Sequence, residues 1–266
     1  MNRDPQKVAV IGFGAMARSL EQSLRNAGGD IAVAAALVSR ATEIERAGIA
    51  FFRDVDALVK WGPSVVVECA SHEAVRDYVP ALLRAGIDVI VVSIGSLGDA
   101  GLLSGLEMAA RHGHSRLTVV SGAVGGLDAL RSAKLAGLDR VVYTGTKPPA
   151  AWKGSPAEEN HDLSALTQRT VIFEGNARQA SSLYPKNANV TAAVALAGIG
   201  FDETAVTLVA DPAADGNSHH VSATGSFGSF DIVLRNRPLP DNPKTSWLAA
   251  LSVEQALHRH FQRLEL

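Results

Sequence analysis

The sequence has little of what several classes of protein depend on. Cys69 is the single cysteine among 266 residues, so an internal disulfide is excluded. Aromatic residues make up 5% of the chain, which disfavours nucleic-acid binding by base stacking. The charges nearly cancel, with 25 Lys and Arg against 27 Asp and Glu, so the basic surface of a DNA- or RNA-binding protein is not expected.

Long apolar runs are also missing from the sequence. The apolar segments have the length of strands, too short to cross a membrane, and residues 1–7 lack the apolar core of a signal peptide. With 47% hydrophobic and 20% charged residues, the composition is that of a globular protein of one large or two modest domains. We therefore expect a cytoplasmic protein that binds a small molecule, without a metal, a membrane or a nucleic acid as partner.

Short apolar segments alternate with amphipathic ones through the first 120 residues. Strands that are apolar on both faces predict a parallel sheet covered by helices on both sides. The predicted strands are Lys7–Ile11, Ile31–Val38, Val65–Cys69, Asp88–Val92 and Leu117–Val120. Right-handed crossovers between them give a Rossmann-type, doubly wound α/β domain over residues 1–120.

The second half of the chain has a different pattern. Predicted strands lie at Arg140–Thr144, Thr170–Glu174, Glu203–Ala210, His219–Thr224 and Ser226–Leu234. Short turns link the last three, which predicts antiparallel pairing. The remaining predicted segments are an Ala- and Val-rich segment at Ser182–Gly198 that is helical after Pro185, a connector at Arg237–Pro243 and a terminal helix at Leu248–Phe261. We expect an α+β domain with a mainly antiparallel sheet over residues 121–245, and a terminal helix within 246–266 that joins the first domain.

A glycine-rich turn follows the first predicted strand. Gly12-Phe13-Gly14-Ala15-Met16-Ala17 has the pattern G-x-G-x-x-A between a strand and a helix, as in dinucleotide-binding domains. Gly12 permits the tight turn, and Gly14 lets a diphosphate approach the backbone. The helix that begins with Ala15 and Met16 offers free backbone N–H groups to the phosphates. The motif predicts a site for NAD or NADP.

The ends of the next two predicted strands extend this cofactor site. Ser39 and Arg40 stand where NAD-binding domains carry an acidic residue. An arginine can pair with the 2′-phosphate of NADP, so we expect NADP to be accepted, either alone or together with NAD. Cys69 and Ala70 end the third predicted strand, at the sheet edge where ligands bind, and we expect them to line the nicotinamide side.

Four further segments cluster polar groups and glycines in the second half. In chain order they are the S-G-A-V-G-G-L-D run 121–128, Thr146-Lys147-Pro148-Pro149, the Y-P-K-N-A-N run 184–189 and the N-S-H-H-V run 217–221. Together with the glycine-rich turn, they resemble the L-aspartate dehydrogenase family over nearly the whole chain. The S-G-A-x-G-G-L-D, P-x-N-x-N and N-x-H-x-V patterns are far more specific than the dinucleotide motif.

The resemblance implies an enzyme that oxidises L-aspartate with NAD(P). The product is iminoaspartate, which hydrolyses to oxaloacetate and ammonia or feeds NAD biosynthesis. On matching positions, the resemblance implies that Ala123 and Asn189 contact the nicotinamide cofactor and that His219 is the catalytic residue. A homodimer is expected.

Three further expectations concern the substrate. His219 and His220 are neighbours on a predicted strand and point to opposite faces, so only one of them faces the site. A dicarboxylate needs cations or N–H groups, and Lys147 and Lys186 are the candidates. Asn187 is a further candidate substrate ligand, although it could instead cap the predicted helix.

Two other functions remain open from the residues alone. One is a related Rossmann oxidoreductase, similar to homoserine dehydrogenase or dihydrodipicolinate reductase. The other is a non-catalytic NAD(P)-binding sensor, which would keep Gly12 and Gly14 but would not need His219. Assays with aspartate, homoserine and dihydrodipicolinate discriminate among these functions.

Overall fold

The computed structural model describes residues 6–39, 48–185, 188–239 and 242–262. The chain divides into two compact units, the first made of Met1–Val120 and Ala250–Leu266 and the second of Ser121–Ala249. Within the described ranges, every helix is too short or too polar to cross a membrane.

The first unit is built on a parallel sheet. Its strands are β1 (Gln6–Ile11), β2 (Ile31–Leu37), β3 (Ala50–Phe52), β4 (Val65–Glu68), β5 (Asp88–Val91) and β6 (Leu117–Val119). In the described residues they form one six-stranded sheet in the order β3-β2-β1-β4-β5-β6, with all pairs parallel. This is the strand order of a Rossmann domain, and the predicted fold is confirmed.

The core of the first unit contains the predicted strands and packs against one further strand, β3, that the sequence pattern did not show. Val8, Val66 and Val89 are fully buried, as expected for strands covered on both faces. β3 was not predicted, because a strand of three residues shows no periodicity. Phe51 of β3 packs edge-on against Phe13, with ring centroids 5.4 Å apart. The helices that connect these strands are α1 (Ala15–Ala27), α2 (Val55–Trp61), α3 (His72–Arg84) and α4 (Ala100–Gly113).

The second unit contains a mixed sheet. Its strands are β7 (Leu138–Lys147), β8 (Thr170–Asn176), β9 (Ala205–Ala210), β10 (Asn217–Gly225) and β11 (Gly228–Asn236). Within the described residues they form a five-stranded sheet in the order β11-β10-β7-β9-β8. All neighbours are antiparallel except β7 and β9, so the predicted, mainly antiparallel second sheet is confirmed.

The pairing predicted for the last three strands is partly wrong. β10 and β11 form an antiparallel hairpin, but β9 pairs with β7 and β8 rather than with β10. The loop over residues 211–216 is long enough to carry the chain past an intervening strand, and β7 occupies that place. β7 pairs with β10 in a regular register up to Thr224, where a bulge interrupts the ladder before Gly225.

The helices of the second unit also differ from the prediction at two points. They are α5 (Leu127–Lys134), α6 (Ala157–Asn160), α7 (Ala177–Leu183) and α8 (Ala188–Ala197). The helix predicted after Pro185 is present as α8, but α7 was not predicted; Pro185, which disfavours helical backbone at the residue before it, lies between the two. The predicted connector at Arg237–Pro243 contains β12 (Pro238–Leu239) and the start of β13 (Asn242–Ser246), which pair as a short antiparallel ribbon.

The terminal helix α9 (Trp247–Phe261) returns to the first unit from Ala250 onward. The Ser23 hydroxyl of α1 donates a 2.7 Å hydrogen bond to the Glu254 carboxylate of α9. Val253 and Leu257 are fully buried, so one face of α9 belongs to the core.

One face of the second sheet is buried, and this face positions the candidate site. Alternate residues of a strand share a face, so Tyr143 and Gly145 of β7 lie on the same side of the sheet. Gly145 is the register partner of His219 on β10, which places His219 on that side as well. An added Cβ at Gly198, just beyond α8, would lie 3.3 Å from both Leu130 of α5 and Val141 of β7. Helices therefore cover the face that carries His219.

Candidate active site

The predicted cofactor turn lies between β1 and α1, against the end of β4. Gly12 has a φ of +78°, and an added Cβ there would lie 2.8 Å from the Cβ of Ala70. Glycine is therefore required for both the backbone conformation and the close approach. The structure brings the segment that begins at Gly12 next to the predicted nicotinamide-side residue Ala70.

The N-terminus of α1 has the properties of a phosphate site. Side chains cap α2, α3 and α4, as Ser71 does for α3 by accepting from the Ala74 backbone N–H. In the described residues no side chain caps α1, whose N-cap is Gly14. A Cβ at Gly14 would meet nothing within 4 Å, so the space over the exposed N–H groups of this helix end is open. An uncapped helix end with open space fits the diphosphate of a dinucleotide.

The other predicted cofactor residues flank this turn. Ala15 and Met16 form the first turn of α1 and are partly exposed, and Ser39 is exposed just after β2. Arg40 lies outside the described residues. Cys69 follows β4 and is partly buried; burial, with the nearby Glu68 carboxylate, raises the pKa of its thiol, so the thiol stays protonated at neutral pH.

A buried glutamate, which the sequence analysis did not single out, holds the loops at the ends of β4 and β5. The carboxylate of Glu68 is fully buried and accepts hydrogen bonds from the Ala70 N–H at 2.7 Å and from the Ser93 N–H and hydroxyl, each at 2.9 Å. Burial raises the pKa of this carboxyl, while the three donors oppose that shift. Because both carboxylate oxygens accept, Glu68 fastens the loop that contains Cys69 and Ala70.

His219 is the central side chain of the second unit. It is 3% exposed on β10, and its Nδ1 lies 2.8 Å from the hydroxyl oxygen of Tyr143 on β7. The two rings are nearly parallel, at an interplanar angle of 17°. Among the described residues, no hydrogen-bond partner exists for the buried Nε2 of His219. A buried polar atom without a partner is costly, so Nε2 is the atom of this face that a ligand would satisfy.

The surroundings of His219 favour its neutral form. Burial, and then the positive charge of Lys147, lower the pKa of His219 to about 4. Lys147 lies on the same face of β7, with its Nζ 5.2 Å from the centre of the Trp152 ring. Burial lowers the pKa of Lys147 to about 8. The site therefore combines a neutral imidazole with an amine that is still mainly protonated at pH 7.

The two neighbouring histidines lie on opposite faces of the sheet. His220 is partly exposed, and its Nε2 lies 2.8 Å from a carboxylate oxygen of Asp231 on β11. His219 points into the buried face, away from this pair. Of the two, His219 has the environment of a reactive group.

The glycine-rich segment 121–126 lies on the same face as His219. The Asn236 side chain donates a 2.7 Å hydrogen bond to the Ala123 carbonyl. An added Cβ at Gly125 would contact Leu234, the register partner of His219 on β11. Ala123 is therefore held over the strand pair that carries the candidate catalytic residue.

The remaining predicted residues are less informative. Asn189 lies in the first turn of α8 and is partly buried. Lys186 and Asn187 fall outside the described residues. Among those that are described, no three His, Cys, Asp or Glu side chains are placed to bind a metal ion together.

The sequence reasoning missed Tyr143 along with Glu68. Tyr143 lies within a predicted strand, and its spacing of two and four residues from Gly145 and Lys147 put the three on one face. That spacing was an available signal for Tyr143. For Glu68, the signal was a charged residue inside an apolar run, which is rarely buried unless it is paired.

Comparison with known proteins agrees with both units. Residues 128–260 match the family described as the C-terminal domain of aspartate dehydrogenase, and residues 12–120 match the NAD-binding domain of homoserine dehydrogenase. An L-aspartate dehydrogenase of Ralstonia nicotianae is 55% identical over 195 residues, which cover 73% of each chain. One of a Polaromonas species is 45% identical over 265 residues, covering 94% of this chain and 96% of the relative.

Comparison with solved structures also shows similarity to aspartate dehydrogenase. The crystal structure of aspartate dehydrogenase from Thermotoga maritima is 26% identical, with a TM-score of 0.77, covering 98% of this chain and 99% of that one. Dihydrodipicolinate reductase from a Paenisporosarcina species, at 13% identity and a TM-score of 0.53, shares the fold alone. The chain belongs to the L-aspartate dehydrogenase family.

Proposed function

We propose that this protein oxidises L-aspartate at the carbon that carries its amino group, with NAD or NADP as the hydride acceptor. The observation that carries the proposal is the buried, unpartnered Nε2 of His219 on a face that also bears the cationic Lys147. A non-catalytic sensor would have no need to bury an imidazole in this way. The family to which the chain belongs supports the choice of aspartate.

The cofactor has suitable binding groups in both units. The open, uncapped N-terminus of α1 at Gly14 would hold its diphosphate. Ala123 and Asn189 would contact the nicotinamide, which supplies the hydride acceptor when bound. The Ala123 backbone is fixed for this task by its hydrogen bond from Asn236.

His219 would move protons at Nε2. Water that adds to the imine of aspartate must lose a proton, and the amine that departs as ammonia must gain one. An imidazole serves both steps. Burial among apolar residues keeps bulk water from the ring, and a bound substrate with its carboxylates would bring the pKa of His219 back up toward neutrality.

Lys147 would bind a substrate carboxylate. Its ammonium lies in apolar surroundings over Trp152, where an ion pair with an incoming carboxylate is stronger than at the surface. Lys186 and Asn187 stay candidates for the second carboxylate. We expect Lys147→Ala to raise the KM for aspartate at least tenfold, roughly 1.4 kcal/mol, with a smaller change in kcat. Lys153→Ala is the matched control, because Lys153 is exposed.

A substrate panel tests the proposed reaction. The purified protein is assayed with L-aspartate, homoserine and dihydrodipicolinate, each with the appropriate form of both cofactors, and in reverse with oxaloacetate and ammonia. We expect turnover of aspartate and of the reverse pair. Turnover of homoserine or dihydrodipicolinate alone would contradict the proposal, and cofactor binding without any turnover would favour the sensor.

The finer assignments rest on the sequence. Arg40 supports acceptance of NADP, and Arg40→Asp is expected to raise the KM for NADP at least tenfold, roughly 1.4 kcal/mol, while leaving NAD little affected. Equal changes with both cofactors would show that Arg40 does not contact the 2′ position. A cytoplasmic homodimer whose iminoaspartate feeds NAD biosynthesis completes the proposal.

A further inference from the structure

Tyr143 lies against the imidazole of His219, on the opposite ring nitrogen from the proposed proton transfers at Nε2. Its hydroxyl oxygen is 2.8 Å from Nδ1, and the ring centroids are 6.0 Å apart in a stacked arrangement. We propose that Tyr143 is a positioning residue, which holds His219 in one orientation and in the tautomer that carries its proton on Nε2. The inference rests on the proposed catalytic role of His219.

The direction of the hydrogen bond follows from the surroundings of Tyr143. The side chain is 2% exposed, and burial raises the pKa of its hydroxyl, which therefore keeps its proton. A phenol has one hydrogen to donate. In the part of the chain that is described, Nδ1 of His219 is the hydrogen-bond partner of this hydroxyl. The tyrosine is thus the donor and Nδ1 the acceptor, since the opposite arrangement would leave a buried O–H without an acceptor.

The tautomer of His219 follows from that direction. A neutral imidazole carries one N–H, and a ring nitrogen that accepts a hydrogen bond cannot be the protonated one. The proton is therefore on Nε2, the buried atom without a partner among the described residues. His219 consequently meets its substrate as an N–H donor, suited to a carboxylate or hydroxyl oxygen.

Gly145 provides the space for this contact. It is the register partner of His219 across the β7–β10 pair, and Tyr143 stands two residues before it on the same face. A Cβ at Gly145 would lie 2.7 Å from the hydroxyl oxygen of Tyr143. The tyrosine therefore reaches His219 by lying across a position where any other residue would displace its hydroxyl.

The hydroxyl also allows His219 to change its role during the reaction. When the carboxylates of a bound substrate raise its pKa, the ring takes up a second proton from solvent and carries one on each nitrogen. The Tyr143 hydroxyl then rotates about its C–O bond and accepts from Nδ1–H, because a phenol oxygen both donates and accepts. The ring gives its Nε2 proton to the departing amine, keeps the one on Nδ1, and regains a proton at Nε2 from water. A phenylalanine would fill the same space and support neither state.

Nitrogen NMR on the cofactor-free protein tests the tautomer without any turnover. The protein is labelled with ¹⁵N-histidine, and the His219 signals among the 8 histidines are assigned with His219→Gln. We expect the wild type to show a protonated Nε2 and an unprotonated Nδ1, and Tyr143→Phe to lose this preference. The control is Tyr184→Phe, which also removes a buried hydroxyl, the donor to the Ile172 carbonyl, and should leave the His219 signals unchanged. A protonated Nδ1 in the wild type, or a tautomer that is unaffected by Tyr143→Phe, would overturn the proposal.

Kinetics test whether the position of His219 matters for turnover. Tyr143→Phe should lower kcat roughly 10–100-fold, as loss of a group that orients a reactive side chain does, with a smaller change in the KM for aspartate. Gly145→Ala should act in the same direction, although it leaves both interacting side chains in place. Equal kcat for both variants and the wild type would overturn the positioning role. A wild type that does not oxidise aspartate would instead refute the proposed function, and the NMR result would still decide the tautomer.

Discussion

Glu68 of the first unit and His219 of the second are both buried where ligands are expected, and their hydrogen bonds are satisfied to different degrees. In the first unit, both carboxylate oxygens of Glu68 accept hydrogen bonds from Ala70 and Ser93. In the second, Nδ1 of His219 is paired with Tyr143, while Nε2 has no partner among the described residues. A buried polar group with all its hydrogen bonds made stabilises the fold, whereas one with an open atom is available to a ligand.

The two units also differ in the groups that they offer to a ligand. The first unit offers backbone N–H groups at the start of α1, so its binding surface depends on the absence of a side chain at Gly14. The second unit offers side chains, Lys147 and His219, in an environment that perturbs the pKa of both. Backbone N–H groups at the start of a helix are typical of sites that bind the phosphates of a cofactor. Side chains with a perturbed pKa are typical of the groups that carry out the chemical step.

Removing the imidazole should have the largest effect. His219→Ala is expected to lower turnover by roughly 10²–10⁴-fold, the usual contribution of a positioned acid–base group, while cofactor binding persists. His220→Ala is the control, and it should cost far less because His220 lies on the outer face with Asp231. Steady-state kinetics and thermal melting of both variants check this. A lower melting temperature with unchanged turnover per folded molecule would make His219 a structural residue.

The acid sensitivity of the fold sharpens the comparison. The pKa of His219 falls from 6.5 to about 4 on folding. Between these two pH values, His219 is therefore mainly protonated in the unfolded chain and mainly neutral in the folded protein. This contribution to stability is complete above pH 6.5 and is lost as the pH falls toward 4, by about 3 kcal/mol in total. Urea unfolding of the wild type and His219→Gln between pH 7 and 4.5 should show their stability difference change by about 2–3 kcal/mol. A constant difference would contradict the buried, neutral imidazole.

A side chain at Gly14 should greatly weaken cofactor binding at the start of α1. Gly14→Val places a branched group in the open space over the start of α1, and the cofactor dissociation constant should rise roughly 100-fold. The fold should survive, because φ at Gly14 is −79° and a Cβ there meets no other atom. Gly29→Val is the control, at an exposed glycine with open space around it. Unchanged cofactor titration in folded Gly14→Val would remove this turn from the binding site.

Glu68→Gln should affect stability rather than chemistry. The amide would turn its NH₂ group toward a backbone or hydroxyl donor and leave a buried group unsatisfied, at a cost of about 1–3 kcal/mol. Urea unfolding measures this loss, and Glu107→Gln on the exposed side of α4 is the control. A large fall in turnover per folded molecule would instead place Glu68 in the chemical step, and the contrast with His219 would fail.

Local rules predicted most of the fold. Apolar runs with adjacent helices identified all the strands of the first sheet except β3, and the G-x-G-x-x-A turn located the start of α1. The order of the second sheet was not predictable in the same way. Periodicity defines a strand and its faces, but not whether β7 or β9 lies next to β10, which depends on contacts between distant segments.

In the candidate site, too, local patterns predicted some features, while others depend on contacts between distant segments. His219 was predicted through the N-x-H-x-V pattern, and alternation alone showed that His220 must point the other way. The contact with Tyr143 was not predictable, because it joins two residues that are 76 positions apart, on strands whose register no local pattern fixes. The perturbed pKa of His219 likewise depends on burial that only the packed sheet provides.

The bulge in the β7–β10 ladder decides which histidine shares a face with Tyr143. Thr224 pairs with Arg140, yet Gly225 pairs with Leu138, so β7 contains one extra residue, Asp139, at this point. With a regular ladder starting from the Gly225–Leu138 pair, every later pairing would shift by one position, and His220 would stand opposite Tyr143. One extra residue at the far end of the strand thus places His219 on the inward face, and a deletion of Asp139 would make the ladder regular while keeping His219 opposite Gly145.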